Sequence, residues 1–401
     1  KSPTIMSTTA TTITTTITTT PAAAVAVAAV EGNGFQQPFE RKKRDKLLPD
    51  GVLVELMKKS NMQGLVRMSS NLLIMYLTAV AIHRMDIYPG LRDASTIEDL
   101  LSVILSRKML AFVPVYIFYG FQMQCMGFAG GHELLHGGVF RTRWLNTIAM
   151  FFVSTAFFEV LYHERINHKQ HHKHTLDIDR DPELTSYYSR KELESLKFKS
   201  APGSRAGYLK EFLLVTRYFK LRMCRLISSS MGILTDYTGA GWSMKSPKPQ
   251  EFDRFVVHEL QVWSALQLAV YVVILAAFGT TVDGAKNLLF WWIAPCIIGY
   301  GPINYVRNSE HTDCDLTNDS MLNTRTVESN RFVRWLLWET NFHAEHHAYP
   351  AVPFFNLPVL HEYLNHHIKH NECKTFTAQQ WNMIRPGGWI DKQNSVAFSR
   401  F

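Results

Sequence analysis

Long apolar stretches alternate with polar ones along this 401-residue chain. The apolar stretches cover about residues 72–82, 109–129, 260–278 and 288–305. A helix needs roughly 20 apolar residues to cross a bilayer, so the first stretch is short and the other three are long enough. We predict four transmembrane helices. The last two should form an antiparallel hairpin, because only residues 279–286 separate them.

A fifth apolar stretch, residues 145–162, is predicted to dip into the interface or lie along it. Histidine clusters on both sides of it must meet on one face, which a crossing would prevent. Four crossings then place the N-terminal basic run (residues 41–44), the histidine clusters and the C-terminus on one side. The excess of positive charge predicts that this side is cytoplasmic. The expected fold is an all-α integral membrane protein with four transmembrane helices and a cytoplasmic helical cap.

Composition changes towards both ends of the chain. Residues 7–30 are rich in Thr and Ala and cannot build a core. We therefore predict a disordered N-terminal region at 1–64, a membrane-bound catalytic domain at 65–370 and a C-terminal cytoplasmic tail at 371–401.

Charge and cysteine content narrow the class of protein. The net charge of +8 suits nucleic acid or an anionic membrane surface. The apolar spans favour the membrane, so we expect no nucleic-acid partner. The five cysteines have no Cys-x-x-Cys spacing, which argues against a disulfide framework and a zinc ribbon and favours a reducing compartment.

The 17 histidines are clustered, and the first cluster follows the second apolar span directly. His132 and His136, in the sequence HELLH, lie four residues apart and so on one face of a helix. Alone, this cluster reads as a zinc-protease signature with Glu133 as the general base. It does not identify the function by itself.

Two further clusters share the pattern H-x-x-H-H, at His168, His171 and His172 and at His343, His346 and His347. A protease needs two histidines and one more ligand, so it has no use for two extra triplets. Many neutral imidazoles with few carboxylates suit iron, copper or zinc. The clusters predict a redox metal centre at the membrane surface, acting on a substrate within the membrane.

The boxes HELLH, HKQHH and HAEHH, in this order around these spans, resemble the membrane fatty acid desaturase and hydroxylase superfamily. The similarity covers about residues 65–365 and includes residues 141–146, 179–183, 341–343 and 349–350 around the boxes. The stretch 333–361 is similar to bacterial-style acyl-lipid desaturases. The resemblance implies a di-iron site with about nine histidine ligands: His132, His136, His168, His171, His172, His311, His343, His346 and His347. His311 is included because the family places a lone histidine shortly after the fourth span.

The resemblance also implies the chemistry and the partners. The expected function is O2-dependent insertion of a double bond into a lipid acyl chain, carried as an acyl lipid or a thioester, by two iron ions. No fused haem domain or nucleotide motif is apparent, so a separate donor is expected: cytochrome b5 or a ferredoxin with its reductase. The active site should face the cytoplasm or stroma, in the endoplasmic reticulum or a plastid if the cell is eukaryotic.

The remaining histidines are expected to lie outside the site. His163 and His174 fall outside the frame of the second box, His361 is predicted to be a packing residue, and His366, His367 and His370 are predicted to be exposed. We expect four acids to orient imidazoles or to be solvated: Glu133, Asp181, Glu310 and Glu345.

Three alternatives stay open on the sequence alone. A di-iron hydroxylase or ketolase acting on a lipid or carotenoid would begin with the same removal of hydrogen, and small differences in placement would decide the outcome. A membrane zinc hydrolase would use HELLH and one more ligand. A metal-binding scaffold without catalysis is disfavoured because every box position is filled.

Overall fold

The computed structural model describes residues 47–176, 181–185, 204–208, 216–233, 254–315 and 317–391. Within these ranges the chain is helical, and no β-strand is present. The only strand-like feature there is an isolated parallel bridge between Arg325 and His370. The predicted all-α class is confirmed for this part of the chain.

The helices of the first half lead to the first two histidine boxes. They are α1 (Val52–Leu56), α2 (Asn61–Arg84), α3 (Tyr88–Asp93), α4 (Ile97–Ile104), α5 (Lys108–Gln124), α6 (Gly131–Leu135), α7 (Arg143–Ala156), α8 (Leu161–His174) and α9 (Pro182–Thr185). A π-helical segment, Cys125–Gly130, joins α5 to α6.

The helices of the second half lead to His311 and the third box. They are α10 (Thr216–Ser230), α11 (Arg254–Phe278), α12 (Val282–Leu288), α13 (Ala294–Ile298), α14 (Tyr300–His311), α15 (Ser320–Asn323), α16 (Arg331–Leu336), α17 (His343–Ala348), α18 (Leu357–Leu364) and α19 (Phe376–Ile384). A π-helical segment, Leu289–Ile293, joins α12 to α13.

Three helices among the described residues are long and apolar enough to cross a membrane: Asn61–Arg84, Lys108–Leu135 and Arg254–Phe278. They contain the first three predicted spans. The short first stretch, 72–82, turns out to be the apolar part of a 24-residue helix, α2. Ser60 caps this helix by accepting a hydrogen bond from the amide of Gln63, so it begins well before the apolar run.

The fourth predicted span is not one continuous helix. Residues 288–305 are divided between a π-helical segment, α13 and the start of α14, with a break at Gly299. Helices α7 and α8 together also pass as a span by composition, but they are bent by 108°. The number of crossings is therefore three or four by length and composition. The predicted fourth crossing and the cytoplasmic side of the cap stay predictions.

Two glycines allow α5 to contact the second half of the chain closely. A Cβ atom on Gly120 would lie 2.3 Å from the carbonyl oxygen of Pro295, and one on Gly299 would lie 2.0 Å from that of Gly120. Side chains at either position would force the backbones apart. This contact fixes the helix that carries the first box against the segment that leads to His311.

The predicted limits of the ends need correction. Residues 1–64 were expected to be disordered, but Leu48 and Leu56 are buried and pack in one cluster with Leu357 and Leu360 of α18. Apolar burial against α18 therefore orders the chain from residue 47, whereas residues 1–46 lie outside the described range.

The predicted C-terminal tail, from residue 371, also packs against the preceding part of the chain. Its Met383 and Trp389 are buried, and Gln380 donates a hydrogen bond to the carbonyl oxygen of Tyr305. Residues 392–401 lie outside the described range.

Candidate metal centre

All nine histidines that the sequence singles out converge in two groups. The five-histidine group is His132, His136, His168, His172 and His346. The four-histidine group is His171, His311, His343 and His347. In each group one ring nitrogen per residue lies within 4.8 Å of all the others. The second and third boxes contribute to both groups. The first box contributes only to the five-histidine group.

The ring nitrogens have the spacing of ligands around one ion. The Nε2 atom of His346 lies 3.1 Å from that of His136 and 3.2 Å from that of His172. In the other group, Nε2 of His311 lies 3.2 Å from Nε2 of both His171 and His343. Adjacent ligands of an octahedral ion with bonds of about 2.1 Å are separated by about 3 Å. Imidazoles that meet in this way satisfy one another poorly by hydrogen bonding, whereas a cation satisfies them all.

The local structure explains how each box presents its side chains. His132 lies in α6, just after the π-helical segment, and π-helical turns are frequent at functional sites. The second box occupies the last two turns of α8, so its histidines project from neighbouring faces. His311 is the last residue of α14.

The third box forms α17, which follows a strained turn. Trp338 and Glu339 both have positive φ angles, of 53° and 58°, a conformation that costs about 1–3 kcal/mol per residue. Glu339 is held there by Arg334, at 2.8 Å, and by Arg67 of α2, at 3.4 Å. Trp338 is fully buried, and a Cβ atom on Gly130 would lie 2.9 Å from its ring. The turn therefore joins the third box to the helices of the first.

Four imidazoles have a polar partner at Nδ1, which leaves Nε2 to point into one of the two histidine groups. The Nδ1 atom of His171 lies 2.9 Å from Asp181, and that of His168 lies 3.0 Å from Glu183. The Nδ1 atom of His311 lies 3.2 Å from the carbonyl oxygen of Asn323. The hydroxyl of Thr175 lies 3.2 Å from Nδ1 of His347. A partner at one ring nitrogen fixes the tautomer and the orientation of a ligand at the other.

Asp181 is itself fixed by the turn that ends the second box. It accepts hydrogen bonds from the amides of Leu176, at 2.9 Å, and Glu183, at 2.9 Å. Leu176 adopts a positive φ of 61° to bring its amide there. The predicted orienting role of Asp181 therefore has a direct geometric basis.

Burial keeps the imidazoles of the third box neutral, which is the form that binds a metal. It lowers the pKa values of His343, His346 and His347 well below the usual value, and neighbouring imidazoles lower them further. Burial likewise lowers the pKa of His311 to about 3. His171 differs, because burial lowers its pKa but the carboxylates of Asp181 and Glu183 outweigh this and raise it to about 9. Nine imidazoles in two groups form a donor set that fits two transition-metal ions.

The other predicted acids differ in what they contact. Glu133 lies 3.4 Å from His132 and 3.8 Å from His346, and Glu310 lies 3.8 Å from Nε2 of His343. Glu345 contacts no imidazole of either group. It accepts a hydrogen bond from Thr326 at 2.5 Å and pairs with His361.

Sequence reasoning missed Glu183 as a partner of His168. The sequence did contain a signal for this role, because Glu183 lies two residues after Asp181 in the same acidic segment. Asn323 and Thr175 gave no comparable signal, since a backbone carbonyl and a lone hydroxyl carry no pattern.

The remaining histidines lie outside both groups. His366 and His367 are exposed, as predicted. His370 is not: its side chain is only 13% exposed, because the amide of Thr326 donates a hydrogen bond to its carbonyl oxygen and holds it against the segment at Arg325. His361 was predicted to be a packing residue, yet it pairs with the buried Glu345.

His163 and His174 flank the second box and belong to neither group. The His163 ring is fully buried, and its Nδ1 atom lies 3.4 Å from the side-chain nitrogen of Asn167.

A comparison with protein-family models matches residues 108–377 to the family described as fatty acid desaturase. This match covers more than half of the chain and includes all nine histidines of the two groups. The chain belongs to the fatty acid desaturase family. A search of curated proteins found no match.

Membership of the fatty acid desaturase family implies an oxidoreductase. Together with the long apolar helices, it also indicates a membrane protein. The predicted superfamily is confirmed, and the two histidine groups fit its di-iron chemistry.

Proposed function

We propose that this desaturase-family protein is an O2-dependent di-iron enzyme that inserts a double bond into a lipid acyl chain. The observation that carries the proposal is the pair of histidine groups, of five and four imidazoles. Zinc sites are usually four-coordinate, so five imidazoles around one point favour a six-coordinate ion over a tetrahedral zinc. The proposed ligands are the nine histidines of the two groups.

Two iron ions bound there would supply the reduction of O2 that removes hydrogen from an unactivated C–H bond. The reaction consumes one –CH2–CH2– unit, one O2, two electrons and two protons. It yields one –CH=CH– unit and two waters. The electrons must come from outside the chain.

The protein's own part is to position the substrate and exclude water. His132, His343 and His346 are buried, so the face of each group that meets the substrate is shielded from solvent. Apolar side chains of the π-helical segment and of α8 lie next to these imidazoles, among them Phe128 and Leu161. A chain held there would lie within reach of both groups, which is the geometric requirement for selective attack.

The electron donor is proposed to be a separate acidic protein, cytochrome b5 or a ferredoxin with its reductase. A surface depression beside His136 supports this, because it contains four cations: Lys59, Arg143, Arg165 and Lys169. Positive charge around His136 attracts an acidic partner. Docking beside this ligand, which lies near the surface, gives the electron a short path to the metal. The face that carries this depression is proposed to be cytoplasmic or stromal.

The test is metal analysis with lipid profiling. We expect the protein purified in detergent to carry close to two iron atoms. Cells that express it should gain an unsaturated lipid in the presence of O2, and cells that express His346→Ala should not. A product carrying a hydroxyl or keto group would instead make the protein a hydroxylase or ketolase. Stoichiometric zinc at full activity, with iron dispensable, would favour a hydrolase, and iron without any product would leave a binding scaffold.

A further inference from the structure

A cavity lies directly against both histidine groups. Its walls include His132 and His168 of the five-histidine group and His171 and His343 of the four-histidine group. Apolar side chains from α6, α8 and α10 complete one side, among them Leu135 and Leu221. This space is the candidate position for the molecule that the enzyme oxidises, because imidazoles of both groups line it.

The rest of the cavity wall is charged. Arg222 of α10 donates a hydrogen bond to Glu159, and Arg225 donates one to Glu164. Arg307 of α14 also lines the cavity. These charges are well buried: the side chains of Glu159 and Arg225 are each only 4% exposed.

Such walls are a poor match for a plain hydrocarbon chain. Burying an ion pair costs several kcal/mol per ion in desolvation, and apolar residues of similar size are often as stable or more stable in its place. Apolar walls would also bind an alkyl chain better, at about 25 cal/mol per Å² buried. The charged wall therefore indicates that part of the bound molecule is polar.

The balance of charge indicates what kind of polar group this is. The cavity is lined by three arginines and by Glu159, Glu164, Glu183 and Glu310. A site for phosphate or carboxylate would have an excess of positive charge. Guanidinium groups only donate hydrogen bonds and carboxylates accept them, so a wall with both suits a neutral group that donates and accepts. A hydroxyl or an amide is such a group.

The distance between the charged wall and the metal groups follows from the helix. Glu164 and His168 lie four residues apart on α8 and both line the cavity. The Cβ atoms of residues spaced in this way are about 5–6 Å apart, a distance that a saturated chain covers in roughly four or five carbon–carbon bonds. A polar group at Glu164 would thus place a carbon only a few bonds away beside the His168 ring.

We propose that the substrate of this enzyme carries a hydroxyl or amide group within about five bonds of the carbon that is oxidised. This proposal rests on the proposed function and narrows its substrate class. It places the reaction near the polar end of a lipid, with the position of attack counted from that end. An enzyme that attacks the middle of a plain chain would not need the Arg222–Glu159 and Arg225–Glu164 pairs.

The first experiment uses the full-length enzyme in cells fed isotope-labelled probes. Two probes are saturated chains of about 16 and 18 carbons joined by an amide to a hydroxylated amine, and the third is a hydrocarbon of matching length. We expect oxidation of both amides at the same carbon counted from the amide, with at least about tenfold less product from the hydrocarbon.

Two results would overturn the proposal while leaving the proposed function intact. One is a position of attack that shifts with chain length or lies in the middle of the chain. The other is equal turnover of the hydrocarbon. For a natural lipid product of the enzyme, a position of attack that shifts with chain length or lies in the middle of the chain would likewise overturn the proposal. The absence of any oxidised lipid would overturn the proposed function, and this proposal with it.

The second experiment removes one ion pair from the wall. Glu159→Gln combined with Arg222→Met keeps the size of both side chains but removes their charge. We expect the preference for the amide over the hydrocarbon to fall at least about tenfold, with iron content unchanged. Arg205→Met with Asp391→Asn is the matched control, because that pair is exposed and lies outside the cavity.

A purely structural role for the pair has a different signature. If Arg222 and Glu159 only fasten α10, the variant loses iron or total activity while the preference ratio stays constant, and that result overturns the proposal. If the variant does not fold, the probes on the unmodified enzyme decide.

Discussion

The five-histidine and four-histidine groups differ in how they are built. Every member of the five-histidine group comes from one of the three sequence boxes. The four-histidine group needs His311, which stands alone in the sequence at the end of α14. Two of its imidazoles are also oriented by groups that show no sequence pattern, the carbonyl of Asn323 and the hydroxyl of Thr175.

This difference has a physical consequence. Loss of one imidazole removes a larger fraction of the ligands from the four-histidine group than from the five-histidine group. Two imidazoles of the four-histidine group also depend on orienting groups outside the boxes, the Asn323 carbonyl and the Thr175 hydroxyl, so small displacements affect this group more. We therefore expect its ion to bind more weakly and to leave first.

The largest effect is expected from removing one box histidine of each group. His346→Ala and His171→Ala should each reduce turnover below detection, because the reaction needs both ions in an intact set of ligands. His171→Ala leaves three imidazoles in its group and should fall towards one iron per chain, whereas His346→Ala leaves four and should retain more iron. Iron analysis of both purified proteins checks this. Detectable turnover in either variant would contradict it.

His311→Ala should have the next largest effect. Loss of the only ligand from outside the boxes should cost at least about tenfold in turnover, the scale seen for groups at metal sites. Iron content should fall while membrane insertion is unchanged. His366→Ala is the matched control, because that histidine is exposed. A His311 variant with full iron and full turnover would reduce the site to the three boxes.

Substitutions of the orienting carboxylates are expected to have smaller effects on the two groups. Asp181→Asn should weaken iron binding by the four-histidine group by up to about 100-fold, and Glu183→Gln should weaken binding by the five-histidine group by about 10-fold. Asp181 should matter more, because it also accepts bonds from two backbone amides. Titration with a chelator measures both affinities. Equal effects of the two substitutions would show that the fixed turn at Asp181 adds nothing.

Acid should destabilise the metal-free protein gradually. Burial lowers the pKa values of His343, His346 and His347, whereas an unfolded histidine titrates near about 6.5. Below that pH the unfolded chain binds more protons than the folded chain, so the free energy of unfolding falls as the pH falls. The Tm of chelator-treated protein should decline from about pH 6.5 towards about pH 5.5. A constant Tm over that whole range would argue against neutral buried imidazoles.

The smallest effect is expected at the N-terminus. Deleting residues 1–40 should leave turnover and iron content unchanged, because neither group takes a side chain from this region. Turnover and iron of the purified truncated protein check this. Loss of turnover in a well-folded truncated protein would show a role that the histidine groups do not explain.

Hydrophobic pattern and histidine spacing were enough to predict much of the molecule. They predicted the helical class, three of the membrane helices and the eight box histidines, since burial in a bilayer needs a long apolar run and metal binding needs histidines on one helix face. The resemblance to the family added His311. The same local rules misjudged residues 47–64 and His370, because burial against distant segments orders the former and covers the latter.

Only the tertiary structure decided how the nine histidines divide into two groups. His168 and His171 are three residues apart on α8, yet they belong to different groups. Which ion each one faces depends on where α6, α14 and α17 lie around that helix. The partner of His347 and the charged wall of the cavity have the same origin. They arise from contacts between residues up to 172 positions apart, and such contacts leave no local signal in a single sequence.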